Sequence, residues 1–164
     1  MDDYTAFVAW AFIGGLVGTA AMDAIKYVGH KGGLLGGVRM DLLGRWALGM
    51  IRWRFVYADI HKADRYPNEA AAGWLFHYLT GGLVALGYPL ALWLFGLPLN
   101  ADHFRYAVFF GLCTSVFPWF LVYPAFGVGL FGARAPKAAR PILTSIVSHT
   151  CYGGGIGLVL GAVF

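Results

Sequence analysis

Four long apolar segments dominate the sequence and limit what the chain can fold into. They cover about 6–25, 70–97, 104–131 and 142–164. An α-helix needs about 20 predominantly apolar residues to cross the hydrocarbon core of a bilayer, and each segment is about that long. Hydrophobic residues make up 59% of the chain and charged residues only 12%, whereas about a quarter of a soluble domain is charged. The sequence therefore predicts an integral membrane protein.

The same segments predict helices, because they are continuously apolar, whereas the strands of a membrane barrel alternate between polar and apolar residues. The expected fold is all-α, with four transmembrane helices in a single bundle over 1–164. The first segment follows Asp2 and Asp3 where a signal peptide carries basic residues, and it ends in Met22, Asp23 and Ala24. We expect it to be retained.

The basic residues predict the orientation of the chain, because Lys and Arg in short loops stay in the cytoplasm. Of the 12 Lys and Arg residues, all but Arg105 fall in the connections after the first and third segments. Both termini should then lie outside the cytoplasm, and the net charge of +4 becomes a topology signal that does not favour nucleic-acid binding. The residues in the two cytoplasmic connections are Lys26, Lys31, Arg39, Arg45, Arg52, Arg54, Lys62, Arg65, Arg134, Lys137 and Arg140.

The first cytoplasmic connection contains an amphipathic stretch over about 38–56. At 100° per residue three of its charged side chains share one face and five of its apolar side chains gather on the other. Such a helix is expected to lie in the headgroup plane, with tryptophans in lipid and arginines reaching out to water. The charged face holds Asp41, Arg45 and Arg52, and the apolar face holds Leu42, Leu43, Trp46, Met50 and Trp53.

One pattern occurs in both the second and the fourth segment: a histidine followed four and five residues later by two glycines. These are His77 with Gly81 and Gly82, and His149 with Gly153 and Gly154. An ionisable group inside a membrane is a functional-site candidate by default. Glycines one turn from each imidazole either leave room beside it or let neighbouring helices pack closely.

The predicted topology brings several polar groups to one level of the bilayer. His77 and His149 each lie about seven residues into a helix that runs outward, or about 10 Å from its cytoplasmic end at 1.5 Å per residue. The inward-running segments carry Asp23 and Tyr123 to a similar depth. A carboxylate, two imidazoles and a phenol are therefore expected in the cytoplasmic half of the bundle.

Four interpretations of this polar site remain open. In the first, the groups clamp helices by hydrogen bonds in a structural or accessory subunit. Asp23, His77 and His149 have the ligand types of a zinc or iron site. His77 and His149 are also the ligands that one b-type haem would need. Finally, Asp23 and the histidines suit a proton-coupled carrier whose third span, broken by Pro118 and Pro124, opens a cavity.

Other polar residues give weaker indications. Glu69 and Arg140 precede the two histidines at the cytoplasmic mouth of their helices, where they are candidates for a salt bridge or for contact with headgroups. Cys113 and Cys151 fall in different spans and are expected to be inert thiols in apolar surroundings. No Ser-His-Asp order, zinc-protease HExxH motif or carboxylate pair is present, and the sequence does not decide whether the protein is an enzyme.

The polar residues of all four segments together resemble a family of small bacterial inner-membrane proteins known only as a domain of unknown function. The resemblance covers nearly the whole chain and is weakest in the amphipathic connection. It implies a four-span bundle in a bacterial inner membrane and no particular ligand or partner. Independently of the resemblance, the partners expected are lipid and either another membrane protein or a second copy of the chain. The matching residues are Thr19, Met22, Asp23, Glu69, Gly73, Trp74, His77, Tyr78, Gly81, Pro124, Gly127, Gly129, Pro136, Arg140, Ser145, His149, Gly153 and Gly155.

Overall fold

A computed structural model describes residues 3–36, 39–99, 102–135 and 139–164. Within these ranges all the regular structure is helical, and four helices are long and apolar enough to cross a membrane. The prediction of an all-α, multi-pass membrane protein is confirmed. The four spans are Asp3–Lys31, Glu69–Leu94, His103–Ala125 and Arg140–Val163. Asp2, Val38, Pro136 and Lys137, on which some predictions depend, lie outside the described residues.

The first span is one uninterrupted helix, α1 (Asp3–Lys31). It is longer than predicted at both ends, because no proline occurs in this part of the chain and the helix continues to the glycine pair Gly32 and Gly33. Gly33 adopts a φ of 73°, a left-handed conformation that glycine takes without steric cost and that ends the helix. The side chains that face the interior of the protein recur every three or four residues and form one stripe. They are Phe7, Ala11, Gly14, Gly15, Gly18, Thr19 and Met22.

The second span consists of two helices, α3 (Glu69–Ala85) and α4 (Gly87–Leu94). They are separated at Leu86, because Pro89 has no N–H to donate to the carbonyl of Ala85. The span ends at Leu94, three residues earlier than predicted, where Gly96 takes a φ of 64°.

The third span is broken more strongly. Helix α5 (His103–Cys113) ends in a turn at Thr114 and Ser115, and a π-helical segment (Pro118–Val122) leads into the short helix α6 (Tyr123–Ala125). Pro118 cannot donate the amide hydrogen bond that would continue the helix to Thr114. The span ends at Ala125 instead of near 131, and a tight loop with a 3-10 turn at Leu130–Gly132 follows.

The fourth span is a single helix, α7 (Ala139–Val163). By internal contacts the chain divides into two compact units. Unit 1 comprises Met1–Ile25, Tyr78–Thr114 and Ile146–Phe164, and unit 2 comprises Lys26–His77 and Ser115–Ser145. Each unit has its own apolar core: Phe7, Tyr88 and Ile156 are at the centre of the first, and Trp46 and Ile60 at the centre of the second. The single bundle predicted over 1–164 stays a prediction.

The amphipathic stretch forms helix α2 (Met40–Ile51) in unit 2, but two of its side chains are not where they were predicted. Arg45 was expected among headgroups and Trp46 in lipid; they are only 2% and 5% exposed and are buried in protein. The cause is a close approach of two backbones. A β-carbon on Gly44 would overlap with the carbonyl oxygen of Glu69 and lie 2.6 Å from the nitrogen of Gly73, so this face of α2 packs directly on α3.

Candidate functional site

His149 lies on α7 and is hydrogen-bonded to the residue at which α5 ends. Its Nδ1 atom is 2.7 Å from the hydroxyl oxygen of Thr114, and that hydroxyl donates to the carbonyl of Gly111 at 2.6 Å. A threonine hydroxyl has only one proton, so Nδ1 must be the donor to Thr114. A neutral His149 therefore carries its proton on Nδ1 and its lone pair on Nε2.

Close helix packing holds His149 in this position. A β-carbon on Gly111 would lie 2.5 Å from the carbonyl oxygen of His149, so α5 and α7 touch through their backbones. Thr114 is 6% exposed, and its neighbour Ser115 is fully buried. The break in the third span thus places a buried hydroxyl beside a partly buried imidazole.

Asp23 lies on α1 and is partly buried. The Tyr78 hydroxyl donates a hydrogen bond to the Asp23 carboxylate. Both residues belong to unit 1. Asp23 was predicted as a site residue with the histidines as its partners. Tyr78, which immediately follows His77 in the sequence, was not predicted as its partner. A phenol next to a carboxylate is a neutral donor, so it can stabilise the charged form of the carboxylate without neutralising it.

His77 lies on α3 at the end of a stretch of unit 2. Its ring centroid is 6.5 Å from that of Trp74, one turn earlier, at an edge-to-face angle of 61°. Because His149 and Asp23 belong to unit 1, the structure describes His77 separately from them. The common depth predicted for the two imidazoles stays a prediction.

The metal interpretation needs at least three converging ligands. Within 3–36, 39–99, 102–135 and 139–164, no three His, Cys, Asp or Glu side chains are grouped closely enough to hold a metal ion. Asp23, His77 and His149 all lie within these ranges, so the predicted ligand set receives no support and stays a prediction. Cys113 is exposed and Cys151 partly buried, and both are free thiols.

The two glycines that follow His77 in the sequence are closely packed. A β-carbon on Gly81 would overlap with the hydroxyl oxygen of Thr19, and one on Gly82 would lie 2.5 Å from the ring of Phe12. Both positions are therefore occupied by α1. Of the two roles expected for these glycines, close helix packing is the one that the contacts support, because helices without side chains at these positions approach until they touch.

The glycines after His149 differ from each other. A β-carbon on Gly153 would overlap with the carbonyl oxygen of Ala107 on α5, whereas on Gly154 the nearest atom would be a ring carbon of Phe104, 3.9 Å away. Three of the four glycines in the repeated pattern thus serve helix packing, and only Gly154 has ordinary space around it.

Glu69 and Arg140, candidates for a salt bridge at the cytoplasmic mouth, have other hydrogen-bond partners. Both carboxylate oxygens of Glu69 are held by Arg45, at 2.7 Å from Nη2 and 2.9 Å from Nε. Arg140 donates instead to the carbonyl of Gly33. Tyr123, expected at the same mouth, donates to the carbonyl of Pro141 at 3.2 Å. The hydrogen bonds of these three side chains all lie within unit 2 and link chain connections to the ends of helices.

The Arg45–Glu69 pair organises the loop that follows α2. Arg45 also donates from Nη1 to the carbonyls of Ile60 and Ala63, at 2.9 and 3.1 Å. The hydrogen bonds to Glu69 hold the pKa of the Arg45 guanidinium above its usual value. A second pair on α2 is more exposed: the Arg39 guanidinium, hydrogen-bonded to Asp41, lowers the pKa of that carboxyl to about 2.

A buried polar pair in unit 1 was not predicted from the sequence. His103, 3% exposed, has Nε2 at 2.6 Å from the carbonyl oxygen of Leu99 and Nδ1 at 3.1 Å from the hydroxyl of Tyr88. A carbonyl only accepts, so Nε2 donates, and in the neutral ring Nδ1 accepts from Tyr88. Both ring nitrogens are used within the protein, which marks His103 as structural.

A family model described as "Protein of unknown function (DUF2938)" matches residues 12–164, nearly the whole chain. No match was found among the curated proteins or among the solved structures. The match covers all four spans, the amphipathic connection, and Asp23, His77 and His149. The chain therefore belongs to the DUF2938 family of proteins of unknown function, as its polar residues predicted.

Proposed function

We propose that the protein is a proton-coupled membrane carrier for a small molecule, with its site at the break of the third span. The observation that carries the proposal is the His149–Thr114 contact, which places an ionisable ring where the helix is interrupted. Interrupted spans that line substrate sites are characteristic of secondary transporters. Irregular backbone at membrane depth is tolerated where protein or a water-filled cavity surrounds it.

The proton chemistry of His149 supports the proposal. With Nδ1 donating to Thr114, Nε2 is the atom that takes up a proton when the neutral ring becomes charged. Histidine changes its charge near neutral pH, which suits a group that is loaded and unloaded in each transport cycle. Asp23, hydrogen-bonded by Tyr78, supplies a carboxylate as a second acceptor, and His77 is the third candidate group.

Transport can be tested in proteoliposomes that enclose a pH-sensitive dye. A panel of small acids, amines and neutral solutes is added outside, and the change in internal pH is followed for each class. We expect at least one class to drive a proton flux that His149→Gln abolishes and Asp23→Asn reduces at least tenfold. His30→Gln removes an exposed histidine at the end of α1 and should leave the flux unchanged.

Two results decide against the carrier. If no solute class produces a flux, or if His149→Gln transports like the wild type, the proposal is wrong. If Asp23→Asn instead fails to accumulate in the membrane, Asp23 and Tyr78 act as a structural clamp. That outcome would favour an accessory subunit, which co-purification in mild detergent would then identify.

A metal or haem site is a second candidate, and one observation favours it. Histidines that bind metals usually donate their other ring N–H to a fixed acceptor, as His149 does to Thr114. Elemental analysis of the purified protein for iron, zinc and copper, with an absorbance scan for a Soret band, tests it directly. The predicted ligand set would be supported if the wild type contained stoichiometric metal and each of three single variants lost it. These variants are Asp23→Asn, His77→Gln and His149→Gln.

A further inference from the structure

Two helix ends in this chain share one hydrogen-bond pattern with glycine at its strained position. In this pattern, the Schellman motif, the second residue after the helix end is left-handed, and glycine is favoured there because it has no β-carbon. Gly33 after α1 and Gly96 after α4 occupy this position, with φ values of 73° and 64°. The bonds are Gly33 N–His30 O, Leu34 N–Gly29 O, Gly96 N–Trp93 O and Leu97 N–Leu92 O.

Helix α2 ends in the same motif but carries a tryptophan at the strained position. The backbone N–H of Trp53 donates to the carbonyl of Met50, and the backbone N–H of Arg54 donates to the carbonyl of Gly49, both at 3.0 Å. Trp53 has a φ of 61°, where its β-carbon is unfavourable. Strain of this kind often marks a functional segment, and here it is borne by a large aromatic residue that the helix end itself does not need.

The strained tryptophan points away from the protein. Its exposed fraction is 85%, and the neighbouring Ile51 and Val56 are 78% and 69% exposed. Phe55 packs against it edge to face, with ring centroids 6.1 Å apart. We call residues 51–56 the Arg-Trp loop. Its exposed apolar side chains alternate with arginines along the sequence Ile-Arg-Trp-Arg-Phe-Val.

The two arginines of the Arg-Trp loop are held in place by aromatic rings. The guanidinium of Arg52 lies 4.9 Å from the ring centroid of Tyr66, and that of Arg54 lies 4.6 Å from the ring centroid of Tyr57. Cation–π contacts of this kind orient a guanidinium without neutralising its charge. Two positively charged residues therefore flank Trp53 in the sequence.

The loop is attached to the end of a membrane span. Tyr57 is the residue after the loop, and its backbone N–H donates to the carbonyl of Ala125 at 2.8 Å. Ala125 is the last residue of the third span. An extended chain covers at most about 3.6 Å per residue, so Trp53 lies within about 18 Å of that helix end. The headgroup layer extends about 5–8 Å beyond the hydrocarbon core on each side, so the reach of the loop includes that layer.

We propose that the Arg-Trp loop is a binding site for the headgroup of an anionic phospholipid. Arg52 and Arg54 bind the phosphate, for which arginine provides a fork of donors, and Trp53 inserts between headgroups, where tryptophan is enriched. The left-handed conformation of Trp53 turns its ring outward at the end of α2. Lipid is the occupant that matches both the charge of the loop and its attachment to a span.

The proposal can be tested by native mass spectrometry of the full-length protein in detergent, titrated with phosphatidylglycerol or phosphatidylcholine. We expect the first phosphatidylglycerol to bind at least tenfold more tightly than phosphatidylcholine, since each nearby arginine adds attraction to an anionic headgroup. Arg52→Gln/Arg54→Gln should remove this preference. Lys62→Gln/Arg65→Gln removes the same charge from exposed positions of the same connection and should keep the preference within twofold.

Trp53→Gly separates lipid binding from folding. It puts glycine where α1 and α4 have it, so we expect a higher melting temperature together with at least threefold weaker binding of phosphatidylglycerol. Loss of lipid binding in a more stable protein cannot be attributed to unfolding. The proposal is overturned if both double variants lose the preference equally, or if Trp53→Gly binds phosphatidylglycerol like the wild type.

Discussion

The hydroxyl proton of Thr114 determines which ring nitrogen of His149 carries a proton. Because Thr114 donates to Gly111, the imidazole must present Nδ1–H to Thr114 and its lone pair on Nε2. Thr114→Val removes the acceptor, and a net hydrogen bond of about 1 kcal/mol should shift the tautomer ratio toward Nε2–H by about fivefold. Ring ¹⁵N chemical shifts, assigned by the peak that His149→Gln lacks, measure this ratio. A wild-type ring with its proton on Nε2 would contradict the assignment.

Arg45 shows a different residue-scale effect, because its side chain is 2% exposed and that of Glu69 12%. Breaking one partner of such a pair leaves a buried charge, so Arg45→Met should destabilise the protein by about 3–5 kcal/mol. Arg45→Met/Glu69→Leu removes both charges and should recover most of that loss. Unfolding in mixed micelles measures both.

The Arg39–Asp41 pair on the same helix is the matched control. Its side chains are 56% and 33% exposed, so solvent screens the attraction and Arg39→Gln should change stability little. Burial would not govern these pairs if Arg39→Gln and Arg45→Met lost the same free energy of unfolding. The same conclusion would follow if Arg45→Met and Arg45→Met/Glu69→Leu were equally destabilised.

At the scale of the element, the sequence predicted four spans but not how they are interrupted or packed. Their approximate positions follow from apolar length, which is a local property. The burial of Arg45 depends on Glu69, 24 residues away, and no periodicity within α2 reports that partner. The paired glycines posed the same difficulty, because a glycine beside open space and a glycine beside another backbone look identical in sequence.

Gly153 and Gly154 offer a direct test of helix packing. A β-carbon on Gly153 would overlap with the backbone of α5, whereas Gly154 has space. Gly153→Ala should therefore destabilise the protein by about 1–3 kcal/mol through overpacking, and Gly154→Ala should be neutral or slightly stabilising, since alanine is the better helix former. Melting temperatures in detergent compare them. Equal effects of the two substitutions would refute the packing role of Gly153.

At the scale of the whole molecule, the apolar segments and the basic residues carry different information. The segments predicted a multi-pass membrane protein, which the four helices confirm. Its orientation and its place in a bacterial inner membrane stay predictions, because they depend on how charges meet a membrane during insertion. Asp23, His149 and Thr114 were brought into one unit by folding, and the sequence supplied the first two but not their hydrogen-bond partners.

The orientation gives the last prediction. Eleven of the 12 Lys and Arg residues lie in the connections after the first and third spans or in the helix ends that adjoin these connections, and moving such charges across the membrane is unfavourable. A green fluorescent protein fused after Phe164 should therefore be dark and alkaline phosphatase at the same position active, whereas fusions after Arg65 should behave in the opposite way. Fluorescence from the fusion after Phe164 would place the C-terminus in the cytoplasm and reverse the predicted topology.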